Sequence, residues 1–334
     1  GTGKTHLCTA TCSAWASDLP ASAILLATAP SNAAVNNLQD RTAQGLAQRN
    51  ITAGRLGDHP SALARERRHL SMFVDARGDE HSPKKARHAI NQRIRESIAK
   101  RDKQVIFSTY ILAAMATGAP AQFVLADEAG QATEPDTIVA LAPAFLGGHV
   151  MMVGDGQQLP PTVKHQGAEW EGLSMSTLAR LQRAHDGMAH SVMLETQYRM
   201  HHDIQAFPSR QYYGGRLRCG LRASNLPQPV GGFPWPAMGK PARDDLQRQL
   251  NQVEGEAVAS REVHRVVFVH CGGEERQADA GSIENMAQVE VIEAILRRVR
   301  TGGSILVLSP YSAQVRQLTS RKNIHGAVIS SVDA

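Results

Sequence analysis

Apolar residues in this chain gather into short unbroken runs, and the stretches between them repeat with helical spacing. Runs at 23–28, 105–108, 123–126, 150–153, 266–270, 305–309 and 327–330 read as strands. They show little polar alternation, which suits parallel strands covered by helices on both faces. Strands alternating with helices in this way predict an α/β fold with parallel sheets. No internal repeat or low-complexity tract interrupts the order. Between the first two runs lies a long polar, basic segment, residues 45–103, which reads as a helical insertion on the first sheet. Its tail places Ala86, Ile90, Ile94 and Ile98 at helical spacing with Arg and Lys between them. A polar stretch at 181–189 separates two groups of motifs and divides the chain into domains of residues 1–185 and 186–334. Residues 226–242, rich in Pro and Gly, read as a surface loop.

Length agrees with that division, since 334 residues make about two domains, each large enough to bury a core. No apolar run approaches the roughly 18 residues of a membrane span, so no membrane partner is expected. The first residues lack the layout of a secretion signal and there is no initiator Met, which implies a piece of a longer, intracellular chain. Cys8, Cys12, Cys219 and Cys271 are too few and too scattered for a disulfide framework and read as free thiols. The formal net charge of +5 is concentrated. Residues 51–103 carry 13 Lys and Arg against 7 Asp and Glu, and the remainder is close to neutral. A local basic block fits either a polyanion partner or a solvated helical face.

The chemistry sits at the ends of the apolar runs. Gly1-Thr2-Gly3-Lys4-Thr5 is the second half of a phosphate-binding loop followed by a helix. Its glycines let backbone N–H groups face phosphates, Lys4 can reach the β/γ oxygens, and the Thr5 hydroxyl can ligate Mg²⁺. The run 123–126 ends in Asp127 and Glu128. In a phosphoryl-transfer site the first carboxylate holds Mg²⁺ and the second orients or deprotonates the attacking water. The run 150–153 ends in Gly154-Asp155-Gly156-Gln157-Gln158, where Gln158 can sense the γ-phosphate or the attacking water. Arg199, in Gln197-Tyr198-Arg199-Met200, is suited to neutralise charge on a transferred phosphoryl group from a second domain.

The order of these segments resembles the superfamily 1B helicases of the up-frameshift and senataxin group, an AAA-type P-loop core. The resembling stretches are GTGKT (1–5), TAPSNAAVNNL (28–38), VIFSTY (105–110), DEAGQATEPD (127–136), VGDGQQLPPTV (153–163), QYRMH (197–201), FPSRQYYGGRL (207–217), SIENMAQVEVI (282–292), LSPYSAQVRQL (308–318) and SSVDA (330–334). They run the length of the chain. The resemblance implies two RecA-like domains with ATP between them and a nucleic-acid strand across both. It implies an ATP-dependent helicase or translocase moving 5′ to 3′, and a monomer is the default expectation because nothing in the sequence indicates homo-oligomerisation. Gly1, Thr2, Gly3, Lys4 and Thr5 would bind the phosphates, with Thr5 and Asp127 holding Mg²⁺. Lys4, Asp127, Glu128, Gln158 and Arg199 would form the catalytic set, and Tyr311 would stack on adenine. Pro30, Ser31, Asn32, Ser108 and Thr109 on the first domain, with Ser331 and Val332 on the second, would contact the strand. The basic insertion resembles the accessory subdomain lying over that strand.

Small polar groups and backbone amides suit sugar and phosphate rather than bases. Aromatic residues are 4% of the chain, too few for an extended stacking platform. RNA is placed slightly ahead of DNA as the partner strand. The chain departs from the pattern at its ends: the first half of the phosphate loop and a later Arg motif lie outside it, so this chain alone is expected to hydrolyse ATP weakly or not at all. Gln288 stands where the group often has Glu, and His202 where it often has Pro. A different class of function, an ATP-gated clamp or remodelling scaffold that binds strands without unwinding them, fits the same motifs.

Overall fold

The computed structural model describes residues 1–20, 23–56, 92, 96, 104–114, 116, 120–144, 147–184, 191–222, 266, 268–278, 281–299, 301–321 and 326–332. These group into two compact units, residues 1–199 with 212–220, and residues 200–211 with 221–334.

The first unit is built on five parallel strands: β1 (Ile24–Ala29), β2 (Thr52–Arg55), β3 (Gln104–Thr109), β4 (Ala121–Ala126) and β5 (His149–Met152). Their order is β2-β3-β1-β4-β5, and every pairing is parallel. Helices α1 (Lys4–Asp18) and α2 (Asn32–Gln48) accompany one face, and α3 (Tyr110–Ala113) and α4 (Glu134–Leu141) the other. The alternation of β1 shows how the faces divide. Leu25, Ala27 and Ala29 join the core holding Cys8, Cys12 and Ala16 of α1 and Val35 and Leu38 of α2. Ile24 and Leu26 join the core holding Tyr110 and Ala113 of α3 and Ala140 of α4. All six residues of β1 are buried, as expected for a strand covered on both sides.

Local chemistry sets the helix starts. Gly3 precedes α1 in a left-handed conformation, φ 87°, which glycine adopts without steric cost. Ser31 caps α2, its Oγ accepting from Ala34 N, and Thr133 caps α4 by accepting from Asp136 N. Each cap satisfies a backbone donor that the helix leaves unpaired.

In the second unit, β10 (Leu306–Ser309), α9 (Ser312–Thr319) and β11 (Val328–Ser331) form a parallel β-α-β unit. Numbering between the units follows chain order: α5 (Gln166–Trp170), α6 (Thr177–Ala184), β6 (Thr196–Gln197), α7 (His202–Tyr212), β7 (Arg218–Cys219), β8 (Arg276–Gln277), β9 (Ile283–Glu284) and α8 (Met286–Arg298). The Gln314 side chain ties α9 to the start of α8, accepting from Asn285 N and donating to Asn285 O.

Six of the seven expected strands are present in the parallel arrangement that defines the α/β class. The seventh is corrected: residues 266 and 268–270 form no strand, and Val266 and Phe268 are exposed. The start of the expected insertion is also corrected. Residues 45–48 complete α2, and 52–55 are the edge strand β2, paired with β3. The rest of the basic segment, apart from the exposed pair Gln92 and Glu96, lies outside the described residues. So do the 226–242 loop and the 185/186 border.

Candidate nucleotide site

Parallel strands bring their C-terminal ends to one edge of a sheet, where α/β proteins bind ligands. In the first unit that edge carries Pro30–Asn32 after β1, Ser108 and Thr109 ending β3, Asp127 and Glu128 after β4, and Gly154–Gln158 after β5. Gly3 and Lys4 open α1, whose free N-terminal N–H groups favour an anion.

Three acids face the one lysine of this edge. Lys4 Nζ lies 3.9 Å from Asp155 Oδ2. Its charge also acts on the carboxylates of Asp127 and Glu128, lowering their pKa values. Burial outweighs that attraction and pushes both carboxyls above the ordinary carboxylate range. Glu128 is raised further by Asp127 and Asp155. A cluster of partly desolvated acids beside one cation has a donor set suited to a hard divalent ion bridging to phosphate.

The backbone around the acids is tightly tied. Asp127 N donates to Thr28 O at 2.8 Å, and the Tyr110 hydroxyl donates to Asp127 O at 3.1 Å. Glu128 N donates to Asp127 Oδ1 at 2.9 Å, and Ala129 N to Val153 O at 2.9 Å. The Cys8 thiol, from the first turns of α1, lies beside the Asp127 carboxylate and lowers its pKa. Glu128 itself stands at φ 51°, ψ 37°, in the left-handed region.

Asp155 is the second hub. Its Oδ1 accepts from Gln157 N at 3.1 Å, and its Oδ2 accepts from Gln158 Nε2 at 2.7 Å and from the Tyr213 hydroxyl at 2.9 Å. Burial, reinforced by this bond to Asp155, pushes the Tyr213 phenol up to about 12. The two hubs touch through glycines. A Cβ on Gly130 would sit 2.8 Å from Asp155 O, and one on Gly154 2.7 Å from Gly130 N. Only glycine permits that approach of the loops after β4 and β5.

Arg199 is placed beside the phosphate loop. Tyr198 N donates to Gly1 O at 2.9 Å, Arg199 N donates to Gln197 Oε1 at 2.8 Å, and a Cβ on Gly1 would fall 2.5 Å from Arg199 Cβ. The side chain is exposed. Arg199 clusters with the first unit, whereas the sequence reading delivers it from the second. The short β6–β7 pair and the backbone bond to Gly1 hold it there.

Among the residues expected to meet a strand, Ser31 spends its oxygen on the α2 cap. Asn32 is exposed, with Oδ1 accepting from Arg55 Nη2 at 2.9 Å. Thr109 is half-buried. Ser108 is fully buried and its hydroxyl has no partner, so the side chain is closed to a strand as it stands. In the second unit Tyr311, 43% exposed, precedes α9, and Ser309 pairs in register with Ser331, which Val332 follows. These three expected residues therefore share one end of the β10–β11 pair.

The sequence reading left out Tyr110, Cys8, Arg55 and Tyr213, and assigned Asp155 no role. Asp155 was legible as the polar tip of an apolar run. Tyr110, Cys8 and Arg55 carry no signal because each is a buried side chain whose partner is distant in sequence or a backbone atom. Arg55 is fully buried, and burial lowers its pKa to about 10.

Two AAA domain families match the chain, one over residues 1–106 and 85–166 and the other over residues 173–334. Mouse 3'-5' exoribonuclease HELZ2 is 30% identical over 63% of this chain, covering 6% of that protein. The ATP-dependent helicase NAM7 of Saccharomyces cerevisiae is 26% identical over 93% of this chain, covering 32% of that protein. Helicase SEN1 of the same yeast is 27% identical over 82% of this chain, covering 12% of that protein. The chain thus spans a third or less of each of these relatives. The parallel sheet with its phosphate loop, the paired acids after β4 and the similarity along both AAA regions agree: the chain belongs to the superfamily 1 helicases of the up-frameshift and senataxin type.

Proposed function

We propose that this chain is the motor core of an ATP-dependent helicase or translocase acting on single-stranded nucleic acid. The observation that carries this reading is the meeting of Lys4, Asp127, Glu128 and the Asp155–Gln158 loop at one edge of a parallel sheet, beside the N-terminus of α1. Free backbone N–H groups at the start of α1 and the Lys4 ammonium receive the β- and γ-phosphates of ATP. Thr5 and Asp127 would hold Mg²⁺, which when bound neutralises phosphate charge and orients the γ-phosphate. Glu128 accepts a proton from water as the water oxygen bonds to the γ-phosphorus. The bond from that phosphorus to the β–γ bridging oxygen breaks, and ADP leaves with the electron pair. Arg199 neutralises charge on the transferred group. Gln158, which hydrogen-bonds Asp155, exchanges that partner for the γ-phosphate and so reports nucleotide state to the loop after β5. Tyr311 stacks on the base.

Pro30, Ser31, Asn32 and Thr109, with Ser331 and Val332, contact the sugar–phosphate backbone, which suits movement without sequence preference. Movement is 5′ to 3′, as the subgroup resemblance implies. RNA is placed ahead of DNA as the partner strand. The protein acts as a monomer inside the cell.

ATP hydrolysis measured without nucleic acid, with single-stranded RNA and with single-stranded DNA tests the reading. A strand is expected to stimulate the rate. Glu128→Gln is expected to lower it by about 10²-fold or more, the range for loss of a general base. Strand binding without stimulated hydrolysis would replace the motor with the clamp.

A further inference from the structure

Glu128 is one of only two non-glycine residues with positive φ among the described residues, the other being Asn50. A left-handed Glu has no local side-chain bond to stabilise it in the way Asn or Asp often has, so the surrounding structure must impose the conformation. The φ of residue 128 is set by the peptide that joins it to Asp127. Five hydrogen bonds surround that peptide and Glu128. Four of them involve backbone donors: Asp127 N to Thr28 O, Glu128 N to Asp127 Oδ1, Ala129 N to Val153 O, and Gln131 N to Glu128 O. The fifth comes from a side chain. The Tyr110 hydroxyl donates to Asp127 O at 3.1 Å, the carbonyl whose orientation turns with the 127–128 peptide plane. Tyr110 is 1% exposed and its ring packs in the core with Leu26, Ile106 and Val124. The hydroxyl therefore reaches the carbonyl from a fixed base.

We infer that Tyr110 is a positioning residue for ATP hydrolysis: its hydroxyl locks the Asp127–Glu128 peptide and so holds Glu128 in the left-handed conformation that aims its carboxylate at the attacking water. The inference rests on the hydrolytic role proposed for Glu128. A peptide free to turn would let Glu128 relax toward the right-handed or extended regions, which cost less for this residue. The carboxylate would then spend much of its time away from the reacting water, and a misplacement of about 1 Å in such a site can cost about 10²-fold in rate. Tyr110 is also the residue directly after Thr109 and opens α3. The loop proposed to meet the strand and the peptide carrying Glu128 are thus joined by one side chain, which gives strand contact a short mechanical route to hydrolysis.

Tyr110→Phe removes the hydroxyl and keeps the ring. Expected is a fall of about 3- to 10-fold in strand-stimulated kcat, the rate equivalent of losing one hydrogen bond. KM for ATP, ADP affinity and strand affinity should stay within about twofold, because the phosphate loop is untouched. The decisive comparison is single-turnover hydrolysis in four proteins: wild type, Tyr110→Phe, Glu128→Gln and the double variant. If the hydroxyl acts through Glu128, Tyr110→Phe has no further effect once Glu128→Gln is present. An equal fold-loss in both backgrounds, an unchanged kcat, or a parallel loss of ADP binding would each overturn the inference. All four are compared in a protein that also carries the first half of the phosphate loop and the later Arg motif, and absence of hydrolysis in its wild-type form would instead overturn the motor reading on which the inference rests.

Discussion

Strands β1 and β10 are both short aliphatic runs, Ile-Leu-Leu-Ala-Thr-Ala and Leu-Val-Leu-Ser, and their surroundings differ completely. Every residue of β1 is buried, whereas Leu306 and Leu308 of β10 are 59% and 53% exposed. The sheet explains the contrast. β1 lies between β3 and β4, with helices on both faces. Among the described residues β10 pairs only with β11, whose Val328 is also exposed. An aliphatic run reports that a strand forms there. Whether its side chains are covered depends on what the rest of the chain brings to it.

Replacing a side chain at the centre of the first sheet should give the largest effect. Phe107→Ala, in β3 and fully buried, is expected to cost about 3–5 kcal/mol of unfolding free energy in denaturant melts. Next is Gly154→Ala, whose new methyl would lie 2.7 Å from Gly130 N and from Leu178 Cδ2. Forcing the two loops apart is expected to cost about 1–3 kcal/mol and to lower ATP hydrolysis with it. Full activity at an unchanged melting temperature would show that the loops can separate freely. Leu308→Ala should cost less than about 1 kcal/mol, since the side chain is already half in water and forfeits little burial. If it costs as much as Phe107→Ala, the exposed face of β10 is covered in solution and the contrast with β1 disappears.

The smallest expected effect is one of labelling. Burial pushes the Cys12 thiol up to about 12 and Cys8 higher still, where Asp127 adds to the shift. Both residues therefore stay protonated at pH 8, and the thiolate is the form that reacts. Iodoacetamide followed by mass spectrometry should modify the half-buried Cys219 and Cys271 in the folded protein, and Cys8 and Cys12 only after unfolding. Rapid labelling of Cys8 or Cys12 would mean that the first sheet opens more readily than its packing allows.

Much of the first unit was legible in the chain. Leu25 and Ile24 signal a strand by their run, Gly3 signals a helix start as part of the phosphate loop, and Asp127 signals a site by ending an apolar run. The boundary of the basic segment was misread because Gly54 and Arg55 do not look like strand residues. Pairing with β3 makes them one, as register decides edge strands more than propensity does. Run 266–270 was misread for the opposite reason, since its propensity is high but its described residues pair with no strand among the described residues. The role expected for Ser108 meets a buried hydroxyl, because β3 is covered on both faces and Val105, Ile106, Phe107 and Ser108 are all fully buried.

The sequence by itself determined the fold class, the order of the strands along the chain and the chemical identity of the groups at their ends. These depend on local preference and on residue type, which are written position by position. Tertiary structure alone decided that Asp155 would join Lys4 and Tyr213, that Arg199 would pack by Gly1, and that Tyr110 would hold the peptide before a left-handed Glu128. Those are contacts between residues distant in sequence, or with backbone atoms that every residue shares. Only the closing of the sheet and its loops around one edge brings them within hydrogen-bonding reach.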